Sequence, residues 1–289
     1  MIALLKLLRP HQWSKNLLVF VSLVMGHQLG DMAVVASTAL CFVALCLIAS
    51  AGYIVNDLLD IDDDRNNPQK QHRPLAAGQV STLQAKGLAV LLAATGLYLA
   101  SLVGGYALWC LLAYLTLSML YSFWLKRKLL LDIIVLACLY TLRILAGVAV
   151  LGAQPSFWLL GFAMFLFCSL AALKRFIEIQ SRPAHLLEAH SKRAYLTQDQ
   201  PIVGMIGIAN GYLAVLVLAF YINSSEVSLL YGQVAILWLL CPLLMYWVGR
   251  IWLLASRSLV HGDPVLFTLR DRTSYFVLVA GLAILLAAT

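Results

Sequence analysis

Five of the thirteen acidic residues fall within Asn56–Gly78, the stretch NDLLDIDDDRNNPQKQHRPLAAG, and Asp57, Asp60 and Asp64 among them are spaced by three and four. If a helix continues through this stretch, that spacing stacks the three carboxylates on one face. Gathered hard oxygens suit Mg2+, which takes a few such ligands plus waters and draws the rest from a substrate's phosphates. Lys70 and Arg73 follow within a loop's reach and can grip the same phosphates through charge-assisted hydrogen bonds. The plainer reading is a solvated loop that ends a membrane helix. It leaves unexplained why acids and bases alternate at the edge of hydrocarbon.

The elements that must position these residues are apolar. Met32–Val55, just before the cluster, carries no charge, and of 289 residues 62% are apolar and 11% charged, against roughly 25% charged for a soluble domain. The chain reads as an all-α, polytopic membrane protein with one membrane domain over 1–289. Against the roughly twenty residues needed to cross hydrocarbon, nine apolar runs qualify, at about 15–30, 33–55, 83–103, 105–124, 131–151, 156–173, 203–222, 229–249 and 274–288. Nineteen of the twenty Lys and Arg fall at the N-terminus or with the second, fourth, sixth and eighth connections. By the positive-inside rule the N-terminus and the aspartate loop are cytoplasmic and the C-terminus lies outside, in the plasma (inner) membrane if the source is bacterial. The net charge of +7 is then gathered on one face, where phosphates and lipid headgroups are drawn. No basic-aromatic pattern suggests nucleic acid. The six cysteines lie in apolar runs and read as small buried residues, not ligands or disulfides. The basic, apolar N-terminus shows no small-residue cleavage site and reads as mature protein.

Further candidates lie along the chain. Met1–Pro10 mixes leucines with Lys6 and Arg9, as an interfacial helix does. Lys15 and Asn16 either anchor the first span or point inward. Pro68, Pro74 and Gly78 fold the aspartate loop back as a cap over a pocket. Span four ends in Tyr121-Ser122-Phe123-Trp124-Leu125-Lys126, and Lys126 is the cation of that cluster nearest the membrane. In span five Asp132 and Arg143 share a helical stripe but are separated by about 16 Å, so each needs a partner on another helix or in a substrate. Lys174, Arg175 and Glu178 end span six; Arg182, Lys192 and Arg193 add positive charge to the loop that follows. Asn210 and Tyr212 line a cavity or bond a neighbouring helix, and Pro242 kinks span eight. His261 and Asp263 lack ligand spacing.

With this pattern in hand, the chain resembles the UbiA superfamily of intramembrane prenyltransferases over nearly its whole length. NDLLDIDDD with the downstream RPLAAG is similar to the superfamily's first aspartate motif, NDxxDxxxD followed by RPL, a small residue and Gly. The resemblance implies a nine-transmembrane-helix bundle with a cytoplasmic-side pocket. It also implies that Asn56, Asp57, Asp60 and Asp64 hold Mg2+ on a diphosphate-bearing donor, with Lys70 and Arg73 on its phosphates.

The aromatic prenyltransferases of that superfamily carry a second DxxxD-type motif between spans six and seven, where this chain has Lys174, Arg175 and Glu178. RPHQWSKN, YSFWLK, the Asp132-to-Arg143 stripe and KRFIE look like the branch typified by decaprenyl-phosphate phosphoribosyltransferase. That branch moves 5-phosphoribose from its 1-diphosphate to a polyprenyl phosphate. Such a reaction brings several phosphates into one pocket, and more anions call for more cations. The expected substrate-binding set is therefore Lys15, Asn56, Lys70, Arg73, Tyr121, Lys126, Asp132, Arg143, Lys174, Arg175 and Glu178. The alternatives are prenyl transfer from a polyprenyl diphosphate to an aromatic or other small acceptor, and transport of an anionic lipid.

Overall fold

The computed structural model describes residues 2–67, 70–181, 194–260 and 262–289. The chain divides into two compact units, one of Met1–Val135 with Leu139–Pro155, the other of Leu136–Cys138 with Ser156–Thr289. Among the described residues every regular element is helical. Seven helices are long and apolar enough to cross a membrane: Met32–Leu59, Thr82–Val103, Gly105–Phe123, Leu131–Val150, Phe157–Gln180, Thr197–Ile222 and Val234–Ser256. They match seven of the nine expected runs, and the six cysteines are free.

The first unit begins with α1 (Ile2–Leu7), a 3₁₀ helix over Pro10–Phe20 and α2 (Val21–Met25). The expected first span at 15–30 is thus differently wound. Trp13, Asn16, Val19 and Ser22 recur every three residues, and the last three are buried, which is the period of a 3₁₀ helix and not of an α-helix. The stripe seats against the Leu131–Val150 helix at Gly147, where a Cβ would stand 2.0 Å from the Val19 carbonyl oxygen and 2.5 Å from Ser22 Oγ. No side chain fits there.

Next come α3 (Met32–Leu59), α4 (Ile61–Asn66), α5 (Thr82–Val103), α6 (Gly105–Phe123) and α7 (Leu131–Val150). The carboxylate of Asp31 caps α3 by accepting from the Ala33 and Val34 amides, and a Ser81–Gln84 capping box starts α5. Gly104, at φ 147, makes the expected hairpin between α5 and α6. At Gly96 a Cβ would stand 2.6 Å from Ile48 Cγ1, so glycine lets α5 lie close on α3. Leu7, Ala51, Ile54, Leu75, Val80 and Ala85 form one buried cluster, which ties α1 and the aspartate loop to α3 and α5. On the other side of these helices Val90, Tyr106 and Trp109 are exposed, a face that suits lipid better than water.

The second unit holds α8 (Phe157–Gln180), α9 (Gln200–Ile222), α10 (Ser225–Leu230), α11 (Val234–Leu237), α12 (Leu240–Ser256), α13 (Pro264–Thr268) and α14 (Arg272–Ala288). A Cβ on Gly207 would stand 2.1 Å from the Trp252 ring, so α9 and α12 also meet over a glycine. The expected eighth span is interrupted at Trp238–Leu239 and resumes with Pro242 in the first turn of α12, where its missing N–H costs least. The last apolar run, α14, has only 17 residues. Asn210 donates to the Ile206 carbonyl of its own helix at 2.8 Å, and among the described residues it bonds no neighbouring helix. Tyr212 does line open grooves of about 380 and 480 Å³ between α9 and α12.

Candidate active site

The apolar helix α3 carries its last turn into the acidic stretch and breaks at Asp60, at φ −107 and ψ 11. The ladder persists through the break, since the Asp60 amide donates to Asn56 O at 3.1 Å and the Asp64 amide to Asp60 O at 2.8 Å. The expectation of one continuous helix with three stacked carboxylates is therefore corrected. The bend separates the carboxylates into two groups with different partners. Asp57 and Asp64, each 2% exposed, are bridged by Arg73, whose Nη1 lies 3.2 Å from Asp57 Oδ1 and 2.7 Å from Asp64 Oδ2. Asp60 turns to Lys126, whose Nζ lies 2.7 and 2.8 Å from its two oxygens and 3.0 Å from Asn56 Oδ1.

A third cation completes the group: Arg9 donates through Nη2 to Asp57 Oδ1, with its guanidinium 5.6 Å from the centre of the Tyr53 ring. Arg9, expected in the interfacial helix, opens the RPHQWSKN motif and reaches the aspartates. Three carboxylates thus face three cations, the balance that burial of charge demands. The loop delivers Arg73 because Leu75 is buried in the core and Gly78, at φ 70, turns the chain back after Pro74. Lys126 sits in a short 3₁₀ turn, Leu125–Arg127, after α6.

The donor set suits Mg2+: Asn56 Oδ1 and three carboxylates are hard oxygens at one helix end, and the cation Arg73 already sits between two of them. Among the described residues no three His, Cys, Asp or Glu side chains converge on one position for an ion. An ion here would take part of its shell from water and substrate phosphate, as Mg2+ does.

Deeper in the same unit, Arg143 is 4% exposed. It donates to Asn16 Oδ1 at 2.9 Å, to the Leu139 carbonyl at 2.6 Å and to Tyr114 OH at 2.8 Å. Its guanidinium also lies 4.8 Å and 5.0 Å from the Tyr114 and Tyr140 rings. Among the described residues no carboxylate pairs with it. The intramembrane charge is held by neutral acceptors and aromatic faces, the acceptors including Asn16 and Tyr114 on other helices. Lys15 and Asn16 point inward, 6% and 1% exposed, with Lys15 5.9 Å over Tyr140.

Asp132 is fully buried at the start of α7, and Lys70 and Tyr121 are half-buried at the edges of the same unit. In the second unit Lys174 pairs with Asp263 at 3.4 Å and Arg175, 1% exposed, pairs with Glu178. Asp263 also caps α13. Pro68, Arg182, Lys192, Arg193 and His261 lie outside the described residues.

An all-helical membrane protein with a carboxylate and cation cluster at the end of one long span is the class that these features define. The sequence profile of the UbiA prenyltransferase family matches residues 17–270, and the chain belongs to that family. It is 37% identical over 271 residues to the uncharacterized protein y4nM of Sinorhizobium fredii, covering 93% of this chain and 52% of that protein. It is 32% identical over 276 residues to the nodulation protein NoeC of Azorhizobium caulinodans, covering 96% and 89%. Similarity to the decaprenyl-phosphate phosphoribosyltransferase of Corynebacterium glutamicum is 37% over 180 residues, 61% of this chain and 54% of that one. The chain therefore spans about half the length of two of these three relatives. The fold is that of a UbiA homolog from Archaeoglobus fulgidus bound to GPP and Mg2+, with a TM-score of 0.73 at 17% identity over 98% of this chain and 99% of that one.

Proposed function

We propose that the protein is a multi-pass transferase that moves 5-phosphoribose from 5-phosphoribosyl 1-diphosphate to a polyprenyl phosphate. The observation that carries this reading is the cation supply around the aspartates. Arg9, Arg73 and Lys126 all reach the carboxylates, and a pocket that must hold a diphosphate, a 5-phosphate and a lipid phosphate needs several cations. The C. glutamicum relative, a decaprenyl-phosphate phosphoribosyltransferase, supports it. In this reading Asn56, Asp57, Asp60 and Asp64 hold Mg2+, which when bound stabilises the negative charge of the departing diphosphate.

Arg73 and Lys126 turn from the carboxylates to the diphosphate oxygens, with Lys70, Lys15 and Tyr121 as further contacts. Asp132 and Arg143 shape the floor of the pocket in the first unit. The carbon–oxygen bond to the diphosphate breaks as an oxygen of the acceptor phosphate bonds to the same carbon, and the diphosphate leaves with the electron pair. An ionised phosphate is its own nucleophile, so no general base is assigned. We take the single domain to cross the bilayer nine times. Pro10–Met25 supplies the first crossing, since 11 residues at about 2.0 Å and 5 at about 1.5 Å reach roughly 30 Å, and α14 supplies the last. The basic connections then face the cytoplasm.

A second reading is prenyl transfer from a polyprenyl diphosphate to a small acceptor, favoured by the GPP on the A. fulgidus homolog. Purified protein with Mg2+, 5-phosphoribosyl 1-diphosphate and a polyprenyl phosphate separates the two. A phosphoribosylated lipid, lost in Asp60→Asn and on chelation, is expected. Prenylation of an aromatic acid from a polyprenyl diphosphate, with no phosphoribosyl product, would sink the first reading.

A further inference from the structure

Arg9 shares one carboxylate oxygen with Arg73. Both guanidiniums donate to Asp57 Oδ1, while the second oxygen of Asp57 is given neither. The backbone that presents Arg9 is fastened on both sides. Leu7 is 1% exposed in the core beside Ala51 and Ile54, Ser50 Oγ donates to the Leu8 carbonyl at 2.8 Å, and Trp13 Nε1 donates to Ser50 Oγ at 3.1 Å. Between these anchors Arg9 stands at φ 51 and ψ 58, a left-handed conformation costly for an arginine and doubly so before a proline. Strain of this kind persists where surrounding structure imposes it, and it gathers at functional sites. An interfacial anchor would need neither the strained backbone nor a side chain only 18% exposed.

Charge counting gives the direction of the effect. Three carboxylates and three cations are balanced, so a divalent ion entering alone leaves two positive charges uncompensated and must displace a cation from its carboxylate. A divalent ion entering with a diphosphate brings its own anion, and the displaced guanidinium has phosphate oxygens to receive it. Arginine's planar fork matches phosphate well.

We infer that Arg9 is an exchangeable counter-cation, holding Asp57 in the empty site and passing to a phosphate oxygen of the diphosphate group when metal and donor bind together. The inference rests on the metal–diphosphate reading of Asp57, Asp60 and Asp64 and adds to it a residue from the N-terminal segment. Arg9 then opposes metal alone and favours metal with diphosphate. A residue that only supports the fold would not act with opposite signs.

The test is calorimetric titration of the purified full chain in detergent, with Mg2+ alone and then with inorganic diphosphate at saturating Mg2+. Four proteins are compared: wild type, Arg9→Asn, Arg9→Lys and Asp60→Asn. Asparagine tolerates the left-handed backbone, so Arg9→Asn removes the charge without adding strain. Arg9→Asn is expected to bind Mg2+ alone about tenfold more tightly and diphosphate about tenfold more weakly, with Arg9→Lys close to wild type in both. Two affinities unchanged, or both weakened together, would overturn the proposal, and if Arg9→Asn does not fold, Arg9→Gln removes the same charge and is titrated in its place against the same outcomes. Wild type and Asp60→Asn binding diphosphate alike with Mg2+ would instead overturn the metal–diphosphate reading itself, whatever Arg9 does.

Discussion

Lys126 Nζ reaches both carboxylate oxygens of Asp60 at 2.7 and 2.8 Å across 66 residues of chain. The connection after α6 is thereby tied to the end of α3 by one buried ammonium, 6% exposed. Lys126→Met is expected to lower the rate of product formation by about two orders of magnitude, the scale of losing one charge-stabilising donor, and to lower thermal stability as well. Lys126→Arg keeps the charge and should recover most of the stability. Wild-type turnover by Lys126→Met would remove the residue from the site.

Arg143 gives a prediction about stability, not turnover. Tyr114→Phe deletes the oxygen that accepts at 2.8 Å but keeps the ring at 4.8 Å. Loss of one acceptor from a buried cation costs about 1–3 kcal/mol. The unfolding midpoint in detergent should fall accordingly, and a midpoint equal to wild type would show that the oxygen contributes nothing.

Two glycines of the first unit should respond oppositely to the same change. Gly147→Ala drives a methyl to 2.0 Å from the Val19 carbonyl oxygen and is expected to cost about 1–3 kcal/mol. Gly87, in α5, has open space around its missing Cβ, so Gly87→Ala should be neutral or stabilise by up to about 1 kcal/mol. Denaturation of the two variants side by side checks the pair.

Acid should loosen the second unit through Asp271. Its hydrogen bonds to Arg250, at 2.7 and 3.0 Å, and to Ser274 hold the carboxyl down from 3.8 to about 2. A carboxyl depressed in the folded state stabilises fully above the unfolded value and loses that contribution as pH falls through the folded one. The loss therefore lies between about pH 4 and about pH 2 and amounts to roughly 1–2 kcal/mol. Asp271→Asn should be less stable at neutral pH and should show a flatter acid limb than wild type.

The acidic cluster, Arg73 and Lys126 were legible in the sequence because charge at a hydrocarbon edge is expensive and few residues carry it. Seven of the spans were legible for the same reason. The winding of Pro10–Phe20 was not, because a three-residue stripe is hidden where both faces are largely apolar. Nor were the partners of Arg143, since an asparagine, a tyrosine hydroxyl and a backbone carbonyl give no charge signal. The break at Asp60 and the reach of Arg9 depend on contacts between residues far apart in the chain, 48 in the case of Arg9 and Asp57, and local spacing does not report those.

The 3₁₀ winding of Pro10–Phe20 sets the distance at which Arg9 is held. An overwound helix is a longer helix: 11 residues at about 2.0 Å per residue outreach the same residues at about 1.5 Å by roughly 5 Å, a full turn's rise. With Val19 locked against Gly147 at one end, that extra length is spent at the other, in front of Asp57. Rewound as an α-helix, the segment would draw its tip back by more than the length of an ion pair and rotate Trp13 and Asn16 off their common line. Pitch, as much as side-chain identity, decides whether the N-terminal segment touches the aspartates at all.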